Sequence, residues 1–334
     1  MKIVFFGTPD FAVPTLERLI QDENFQVSAV VTQPDKRRER GNKMTPSPVK
    51  ILAINHHIPV WQPERIKKDV ETLTKLKQLE ADIFVVVAYG QILSQKILNM
   101  PKFGCVNVHG SILPQYRGAA PIQWCLYHGE AETGITTMLM DRGMDTGDML
   151  LKATTFINPL DNAETLADRL AVIGADLLIE TALKLENQEI TGISQDHNLA
   201  TYASLITKND YNLDWWRTAI ALHNQIRGFY PHCVTRFRNQ PLKIMATIPL
   251  ETEYIQALPQ QLQDKIHKTA NLSTISGEPG EIVAIIKGVG AVVQTGLGLL
   301  LLLEVQLTGK RPYSGWDFVN GSRLVLGEKL TIEN

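Results

Sequence analysis

The sequence predicts an α/β fold in which a doubly wound, mainly parallel, Rossmann-like sheet is followed by a smaller OB-like β-barrel. Over the first 150 residues, short apolar runs alternate with segments of helical spacing, a pattern typical of right-handed βαβ units. From near Thr201 the pattern changes to short β-rich runs separated by glycine and proline. We therefore expect one domain over residues 1–204 and a second over residues 205–334.

In the first domain the apolar runs are predicted strands, because each is entered or left near Gly, Pro or Asp. The stretches between them carry apolar residues at helical spacing and are predicted helices. The predicted strands are Ile3–Phe6, Val27–Val31, Ile58–Trp61, Ile83–Ala88, Cys105–His109 and Ile135–Met140. The predicted helices are Thr15–Ile20, Pro48–Asn55, Val70–Leu79, Ala120–Tyr127 and Ala163–Leu185.

The second domain is predicted to hold one helix and several short strands. The helix is expected over Trp215–Ile226, and the strands over Cys233–Phe237, Leu242–Met245, Glu281–Lys287, Ala291–Thr295 and Leu299–Val305. The segment from Gly288 to Gly298 contains four glycines, but it has no Lys-Ser or Lys-Thr pair and leads into no helix. It therefore predicts hairpin turns and not a phosphate-binding loop.

Composition and the first residues indicate a cytoplasmic protein. Of the 334 residues 44% are hydrophobic, which allows buried cores, and the formal net charge is −2. The three cysteines form no CxxC pair, so we expect neither a disulfide framework nor a zinc site, and a reducing compartment fits. The first apolar run, Ile3–Phe6, is short and is followed at once by Gly7 and Pro9. That pattern predicts a buried strand and not a signal peptide.

The segment Gly7–Phe11 follows the first strand, where a dinucleotide fingerprint would stand. It lacks the second and third glycines of GxGxxG, and Pro9 removes an amide donor. A nicotinamide-dependent dehydrogenase, the main alternative from another enzyme class, is therefore disfavoured. We expect this segment to be a tight turn that shapes a crevice.

Asn107 and His109 are two positions apart on a predicted strand that ends at Gly110. A strand directs alternate side chains to one face, so the pair shares a face at the carboxyl end, where such sheets bind ligands. An amide donor beside an imidazole suits reactions that develop negative charge on a carbonyl oxygen, because Asn can bind that oxygen and His can move a proton. The spacing is equally compatible with a buried Asn and His that satisfy each other.

A glycine-broken acidic loop, Asp141–Asp148, follows the strand Ile135–Met140. A carboxylate from this loop near His109 would orient the ring and favour its charged form. The loop lacks the spacing and the closing Glu of an EF-hand, so a calcium site is disfavoured. The other histidines are scattered, and we expect no metal.

Several segments together closely resemble the formyltransferases that use 10-formyltetrahydrofolate. They are FFGTPDFA (5–12), TQPDKRRERGNKMTPSPVK (32–50), VVVAYGQIL (85–93), VNVHGSILPQYRGAAPIQW (106–124) and GITTMLMDRGMDTGDML (134–150). The resemblance implies a catalytic trio of Asn107, His109 and Asp145. It also implies a folate site formed by Ser111, Ile112, Leu113, Pro114, Ala88, Tyr89, Gly90, Gln91, Ile92, Leu93 and Asp141.

The reaction that the resemblance implies is direct attack of an amine on the formyl carbon of 10-formyltetrahydrofolate, through a tetrahedral intermediate. The folate acts as a co-substrate that carries one carbon. His109 can serve as a proton carrier or as a donor to the oxyanion, and the sequence leaves both roles open. A non-catalytic RNA-binding protein is the alternative outside enzymes, and the intact trio speaks against it.

The acceptor amine is indicated by three further features. Glycinamide ribonucleotide formyltransferases resemble the first domain alone, and sugar-nucleotide formyltransferases usually carry a bulkier residue within the segment 118–121. The amino-acid sequence from Tyr116 to Pro121 resembles that of the members that formylate initiator methionyl-tRNA, giving N-formylmethionyl-tRNA for translation initiation. A basic loop would contact the tRNA in those members, although a solvated loop has the same composition. Its basic residues are Lys36, Arg37, Arg38, Arg40 and Lys43. We expect a monomer.

Overall fold

The computed structural model describes residues 1–38, 43–269, 272 and 274–332, and these residues form two compact units. The first unit consists of Met1–Pro121, Glu132–Thr155 and Ala167–Ser204. The second consists of Ile122–Ala131, Phe156–Leu166 and the chain from Leu205 onward. Within the described ranges, no helix is long and apolar enough to cross a membrane.

A mainly parallel sheet forms the centre of the first unit. Its strands lie in the order β10-β9-β7-β6-β1-β2-β5. Strands β5, β2, β1, β6 and β7 are parallel to one another, whereas β9 is antiparallel to β7. The predicted doubly wound, mainly parallel sheet is therefore confirmed. The strands of this unit are β1 (Lys2–Gly7), β2 (Gln26–Val31), β3 (Lys36–Arg38), β4 (Lys43–Thr45), β5 (Val60–Trp61), β6 (Ile83–Val87), β7 (Cys105–His109), β8 (Arg117–Gly118), β9 (Glu132–Leu139), β10 (Met149–Phe156) and β11 (Tyr202–Ala203).

The helices of this region begin where capping residues allow. Ser47 accepts a hydrogen bond from the Lys50 amide and Asp69 accepts one from the Thr72 amide, so each satisfies a free donor in a first turn. The central strands β1 and β6 are apolar and buried along almost their whole length, as expected for a sheet covered on both sides. The helices up to residue 204 are α1 (Val13–Gln21), α2 (Pro48–Asn55), α3 (Val70–Leu79), α4 (Gln95–Leu98), α5 (Pro121–His128) and α6 (Ala163–Glu186). Of these, α5 lies in the second unit except for Pro121, and α6 lies in the first unit from Ala167 onward.

The second unit is built on an antiparallel sheet with the strand order β14-β15-β16-β13-β12-β18, and β17 pairs with β16. The pairing of β13 with β16 shifts register beside Ala246, which bends a sheet. The glycine-rich segment forms the turns on either side of β15, as predicted. The strands are β12 (Val234–Phe237), β13 (Gln240–Pro249), β14 (Ile282–Ile286), β15 (Gly290–Gln294), β16 (Leu299–Leu307), β17 (Tyr313–Ser314) and β18 (Leu330–Thr331). The helices are α7 (Ala219–Gly228), α8 (Thr252–Gln256), α9 (Gln260–His267) and α10 (Gly315–Ser322).

The structure differs from the predicted elements at a few places. Helix α7 begins at Ala219 and not at Trp215, because Thr218 caps it and Trp215 is a core residue whose ring N–H donates to Thr235. The basic segment forms a hairpin of β3 and β4 where a loop was predicted. The elements that were not predicted are strands β8, β10, β11, β17 and β18 and helices α4, α8, α9 and α10.

Candidate active site

Strand β7 carries Asn107 and His109 to the carboxyl end of the parallel part of the sheet. Asn107 lies opposite Val86 on β6 and Met138 on β9, and His109 lies opposite Thr136. Because side chains alternate along a strand, both residues face the same side of the sheet. Asn107 is partly exposed, whereas His109 is 5% exposed. The pair therefore combines an accessible amide with a buried imidazole.

A hydrogen-bond partner of His109 shows which of its two ring nitrogens carries a proton. Its Nε2 lies 3.0 Å from the backbone carbonyl oxygen of Tyr116. A carbonyl can only accept, so Nε2 carries a proton and donates it. The other nitrogen, Nδ1, lies 3.7 Å from Oδ2 of Asp145. Nδ1 is consequently the nitrogen that can gain or lose a proton, and Asp145 faces it.

Asp145 is held in an uncommon conformation by the backbone around it. Its φ is +53°, in the left-handed region that few residues other than glycine adopt. Its Oδ2 accepts a hydrogen bond of 2.8 Å from the backbone N–H of Gly118. The distance to His109 exceeds a hydrogen bond but allows the carboxylate to stabilise an imidazolium ring.

Two glycines beside the site cannot carry a side chain without backbone movement. Gly118 has a φ of +122°, and a Cβ there would lie 2.5 Å from the carbonyl oxygen of Ala203. At Gly147 a Cβ would lie 1.8 Å from the carbonyl oxygen of Leu139. The close approach of β8 to β11, and of the acidic loop to β9, thus depends on glycine.

The segment after β7, predicted to line a folate site, is fixed by hydrogen bonds to its backbone. Thr136 Oγ1 donates to the carbonyl of Ser111 at 2.7 Å and accepts from the N–H of Leu113 at 3.0 Å. The Lys152 ammonium group donates to the carbonyl of Leu113 at 2.6 Å. Ser111 and Leu113 are buried, whereas Ile112 and Pro114 are partly exposed. The latter two are the side chains of this segment that are accessible to a ligand.

The segment after β6 is also divided between buried and exposed residues. Ala88 and Gly90 are exposed and Ile92 is 79% exposed. Tyr89 and Leu93 are buried, and burial raises the pKa of the Tyr89 hydroxyl.

The Gln91 side chain is used internally. It accepts from the Ile66 N–H and donates to the carbonyl of Pro63. A ligand at the segment after β6 would therefore meet its backbone and Ile92, not the Tyr89, Gln91 or Leu93 side chains.

Asp141, the remaining residue of the predicted folate site, closes the acidic loop. Its carboxylate accepts from the N–H of Gly143 at 2.9 Å and from the Thr146 hydroxyl at 2.7 Å. The neighbouring Arg142 donates to Gln95 at 3.0 Å, which connects this loop to helix α4. These hydrogen bonds of the Asp141 carboxylate thus stabilise the loop that carries Asp145.

Comparison with known proteins assigns the family. A family profile described as "Formyl transferase" matches residues 1–182, and one described as "Formyl transferase, C-terminal domain" matches residues 205–323. The chain is 74% identical over 330 residues to a methionyl-tRNA formyltransferase of Trichormus variabilis, with 99% of each chain covered. The chain belongs to the methionyl-tRNA formyltransferase family. A second member, from Nostoc sp., is 69% identical over 338 residues, again with 99% of each chain covered.

Solved structures of lower identity share the fold. An N-formyltransferase from Helicobacter canadensis, in complex with folinic acid and dTDP-3-aminofucose, has a TM-score of 0.62 at 19% identity, covering 90% of this chain and 98% of that one. HypX from Aquifex aeolicus, in complex with tetrahydrofolic acid, has a TM-score of 0.60 at 12% identity, covering 98% of this chain and 48% of that one. At these identities the likeness concerns the fold alone.

Of the basic residues predicted to contact tRNA, Lys36, Arg37 and Arg38 belong to β3 and Lys43 belongs to β4. Arg38 pairs with Lys43, Arg37 with Met44, and Lys36 with Thr45. Lys36 is exposed, and Arg40 lies outside the described residues. The base of the hairpin is anchored, because Asp35 forms a 2.7 Å ion pair with Lys50 and accepts a hydrogen bond from Gln62. Gln62 and Lys50 lower the pKa of the Asp35 carboxyl.

Sequence reasoning did not predict the residues that support His109 and Asp145. Tyr116, Arg117 and Gly118 stood in a quoted motif but were used only to choose among acceptors. Gln195 stood in no quoted motif, although its amide donates 2.8 Å hydrogen bonds to the carbonyls of Asp145 and Gly147. No local pattern marks such a residue, since its partner Asp145 lies 50 positions away.

Proposed function

We propose that this protein transfers the formyl group of 10-formyltetrahydrofolate to the α-amine of initiator methionyl-tRNA, giving N-formylmethionyl-tRNA for translation initiation. The observation that carries the proposal is the His109–Asp145 pair, which lies beside Asn107 at the end of β7. The 74% identity to a methionyl-tRNA formyltransferase supports the choice of acceptor.

Each member of the trio has a role that its surroundings favour. The amine attacks the formyl carbon, and the amide of Asn107 stabilises the oxygen of the tetrahedral intermediate. His109 Nδ1 carries the proton from the amine toward the departing folate nitrogen, directly or through water, because Nε2–H already donates to Tyr116. Asp145 stabilises the imidazolium ring while it is charged. The geometry thus favours proton transfer as the main role of His109.

We propose that folate binds along the segments Ala88–Leu93 and Ser111–Pro114 and beside Asp141. The exposed Ile92 and the partly exposed Ile112 and Pro114 offer apolar surface for a flat ring. Backbone groups of the segment after β6 would supply the polar contacts, since its Gln91 side chain is occupied.

For the acceptor, we propose that the tRNA acceptor stem is contacted by Lys36, Arg37, Arg38 and Lys43 of the paired strands β3 and β4, together with Arg40. An RNA end that can be splayed is read by Arg more readily than a closed A-form duplex. The C-terminal region, residues 205–334, would be an OB-like tRNA-binding domain after a catalytic domain of residues 1–204. Its antiparallel sheet supports this proposal. We further propose a monomer that works in the cytoplasm.

The experiment that tests the proposed function offers labelled formyl from 10-formyltetrahydrofolate to two acceptors in parallel. We expect transfer to initiator methionyl-tRNA and none to a dTDP-amino sugar. Transfer to the sugar alone would refute the acceptor, and transfer to neither would refute the activity.

The tRNA contact is tested by Arg40→Leu, with Arg65→Leu as the matched control. Arg65 is exposed and lies outside the hairpin. We expect Arg40→Leu to weaken formylation of methionyl-tRNA severely and to reduce discrimination between initiator and elongator tRNA. Slow hydrolysis of formylfolate, which needs only the trio and water, should be unchanged. Equal behaviour of the two variants would make the hairpin a solvated surface feature.

A further inference from the structure

A buried arginine and a buried glutamine lie directly behind Asp145. Arg117 is 1% exposed and Gln195 is 6% exposed. The Arg117 guanidinium donates from Nε and Nη2 to Gln195 Oε1, at 3.0 and 2.7 Å. Its Nη1 lies 3.1 Å from Nδ1 of His197. Among the residues that the structure describes, no carboxylate bonds to this guanidinium, although buried cations are usually paired with one. The arginine therefore serves a purpose other than ion pairing.

The amide of Gln195 is used at both ends. Its oxygen accepts both hydrogen bonds from Arg117, and its nitrogen donates to the carbonyls of Asp145 and Gly147, each at 2.8 Å. An amide offers two donors and an acceptor with two lone pairs, so this side chain has no capacity left. The guanidinium also fixes its orientation, because a rotated amide would place N–H groups against N–H groups.

The same short strand holds both ends of Asp145. Gly118, which follows Arg117 on β8, donates to the carboxylate, and Arg117 reaches the carbonyl of Asp145 through Gln195. Tyr116, which precedes Arg117, holds Nε2 of His109. Three consecutive residues therefore set the position of the imidazole and of the carboxylate that faces it.

We propose that Arg117 and Gln195 are positioning residues for the transfer reaction. Their bridge keeps Asp145 in its left-handed conformation, with the carboxylate directed at Nδ1 of His109. A residue other than glycine persists in that conformation only where its surroundings hold it. Without the bridge the loop relaxes and the carboxylate moves away from the ring. The inference rests on the catalytic role proposed above for Asp145.

Replacing Gln195 by Met keeps the length and removes every hydrogen bond, whereas Gln195→Glu keeps the acceptor for Arg117 and loses both donors to the loop. We expect each variant to lower kcat by about 10- to 100-fold, because displacement of a catalytic group by about 1 Å has that effect. The KM values for folate and for methionyl-tRNA should stay within about twofold of wild type, since both side chains are buried.

A double-mutant cycle separates positioning from general stability. In an Asp145→Asn background, Gln195→Met should cost little further activity in single-turnover assays, because the group that it positions is already inactive. A purely structural role would lower the rate by the same factor in both backgrounds, and that result would overturn the inference. If Asp145→Asn retained full activity, the proposed trio would fail first. If Asp145→Asn were inactive and Gln195→Met fully active, the trio would stand and the positioning role would fail.

Gln225→Met is the matched control, because Gln225 is a buried glutamine with an arginine partner in the second unit. It should leave kcat unchanged. Should Gln195→Met not fold, Arg117→Lys supplies the test. Lysine keeps the charge but loses the two-point contact with Gln195, so kcat should still fall with KM unchanged. Wild-type kcat in a folded Arg117→Lys variant would contradict the proposal.

Discussion

The two units of this protein contain the same arrangement of an arginine, a glutamine and two backbone carbonyls. In the first unit Arg117 binds the oxygen of Gln195, whose nitrogen binds the carbonyls of Asp145 and Gly147. In the second unit Arg217 donates to the oxygen of Gln225 at 2.7 Å. The Gln225 nitrogen donates to the carbonyls of Asp210 and Asn212, at 2.8 and 2.9 Å.

The difference lies in what each glutamine holds. Asp210 belongs to a short 3-10 turn that is already closed, because Thr207 donates to its carboxylate from both backbone and hydroxyl. Asp145 has a left-handed backbone and a carboxylate that faces His109. An arginine-bound glutamine thus stabilises a chain segment in one unit and, by our proposal, the position of a reactive group in the other. The glutamine oxygen accepts two hydrogen bonds from Arg117 in the first unit and one from Arg217 in the second.

The largest expected effect comes from replacing His109 or Asp145, the two groups that lie next to the Arg117–Gln195 bridge. We expect His109→Ala and Asp145→Asn each to lower kcat by about three orders of magnitude or more, since both support charge that appears only during the reaction. Circular dichroism and tRNA affinity should remain close to wild type. His56→Ala, at an exposed histidine, is the control. Near-normal turnover of either variant at saturating substrates would remove it from the mechanism.

Replacing Asn107 tests the comparison further, because Asn107 belongs to neither the Arg117–Gln195 pair nor the Arg217–Gln225 pair. We expect Asn107→Ala to lower kcat by about two to three orders of magnitude, as loss of an oxyanion donor does. Adding Gln195→Met should multiply the two effects, since they act on different groups. An increase in the KM for folate with unchanged kcat would instead make Asn107 a binding residue.

The bridge in the second unit should behave in the opposite way. Gln225→Met leaves two part-buried carbonyls without this donor and takes an acceptor from Arg217, so we expect the free energy of unfolding to fall by about 2 kcal/mol. Urea denaturation measures this loss, and kcat at low denaturant should be unaffected. A drop in kcat comparable with that of Gln195→Met would abolish the contrast between the units.

The smallest expected effect is a pH dependence of stability in the second unit. Burial lowers the pKa of His223 to about 4. The ring nitrogen Nε2 donates to the Pro159 carbonyl at 2.9 Å, and Nδ1 lies 3.2 Å from the hydroxyl of Thr247 on β13. The ring also packs against Tyr254 on α8 and lies near Arg227, whose charge lowers the pKa further.

Because the unfolded chain binds the proton first as pH falls, this contribution is intact above pH 6.5 and is lost progressively toward pH 4. Between pH 7 and pH 5 the loss should reach about 2 kcal/mol. His223→Gln, which does not titrate, should lose less over the same interval. Identical pH profiles of the two proteins in urea denaturation would exclude His223 as the cause.

The part of the fold that the sequence predicted is the part that depends on interactions between residues close together in the chain. The alternation of apolar runs and helical segments depends on neighbours along the chain, and it predicted the parallel sheet and its main helices. Trp215 shows the limit of such reasoning. Its apolar character suited the predicted helix. In the structure Trp215 is buried in the core, its ring N–H donates to the hydroxyl of Thr235, and it lies before the helix begins.

The candidate site divides in the same way. Asn107 and His109 could be placed together from the sequence, because alternation along a strand is a local property. The motif around Asp145 predicted the third residue of the trio, but it did not predict the left-handed backbone conformation in which the carboxylate faces the His109 ring. By our proposal that conformation depends on Gln195 and Arg117, which lie 78 positions apart in the chain. The sequence by itself determined which candidate groups the proposed site contains, through residue type, strand parity and the motif that includes Asp145. Their relative positions were decided by the tertiary structure, because the hydrogen bonds that hold them join residues that only folding brings together.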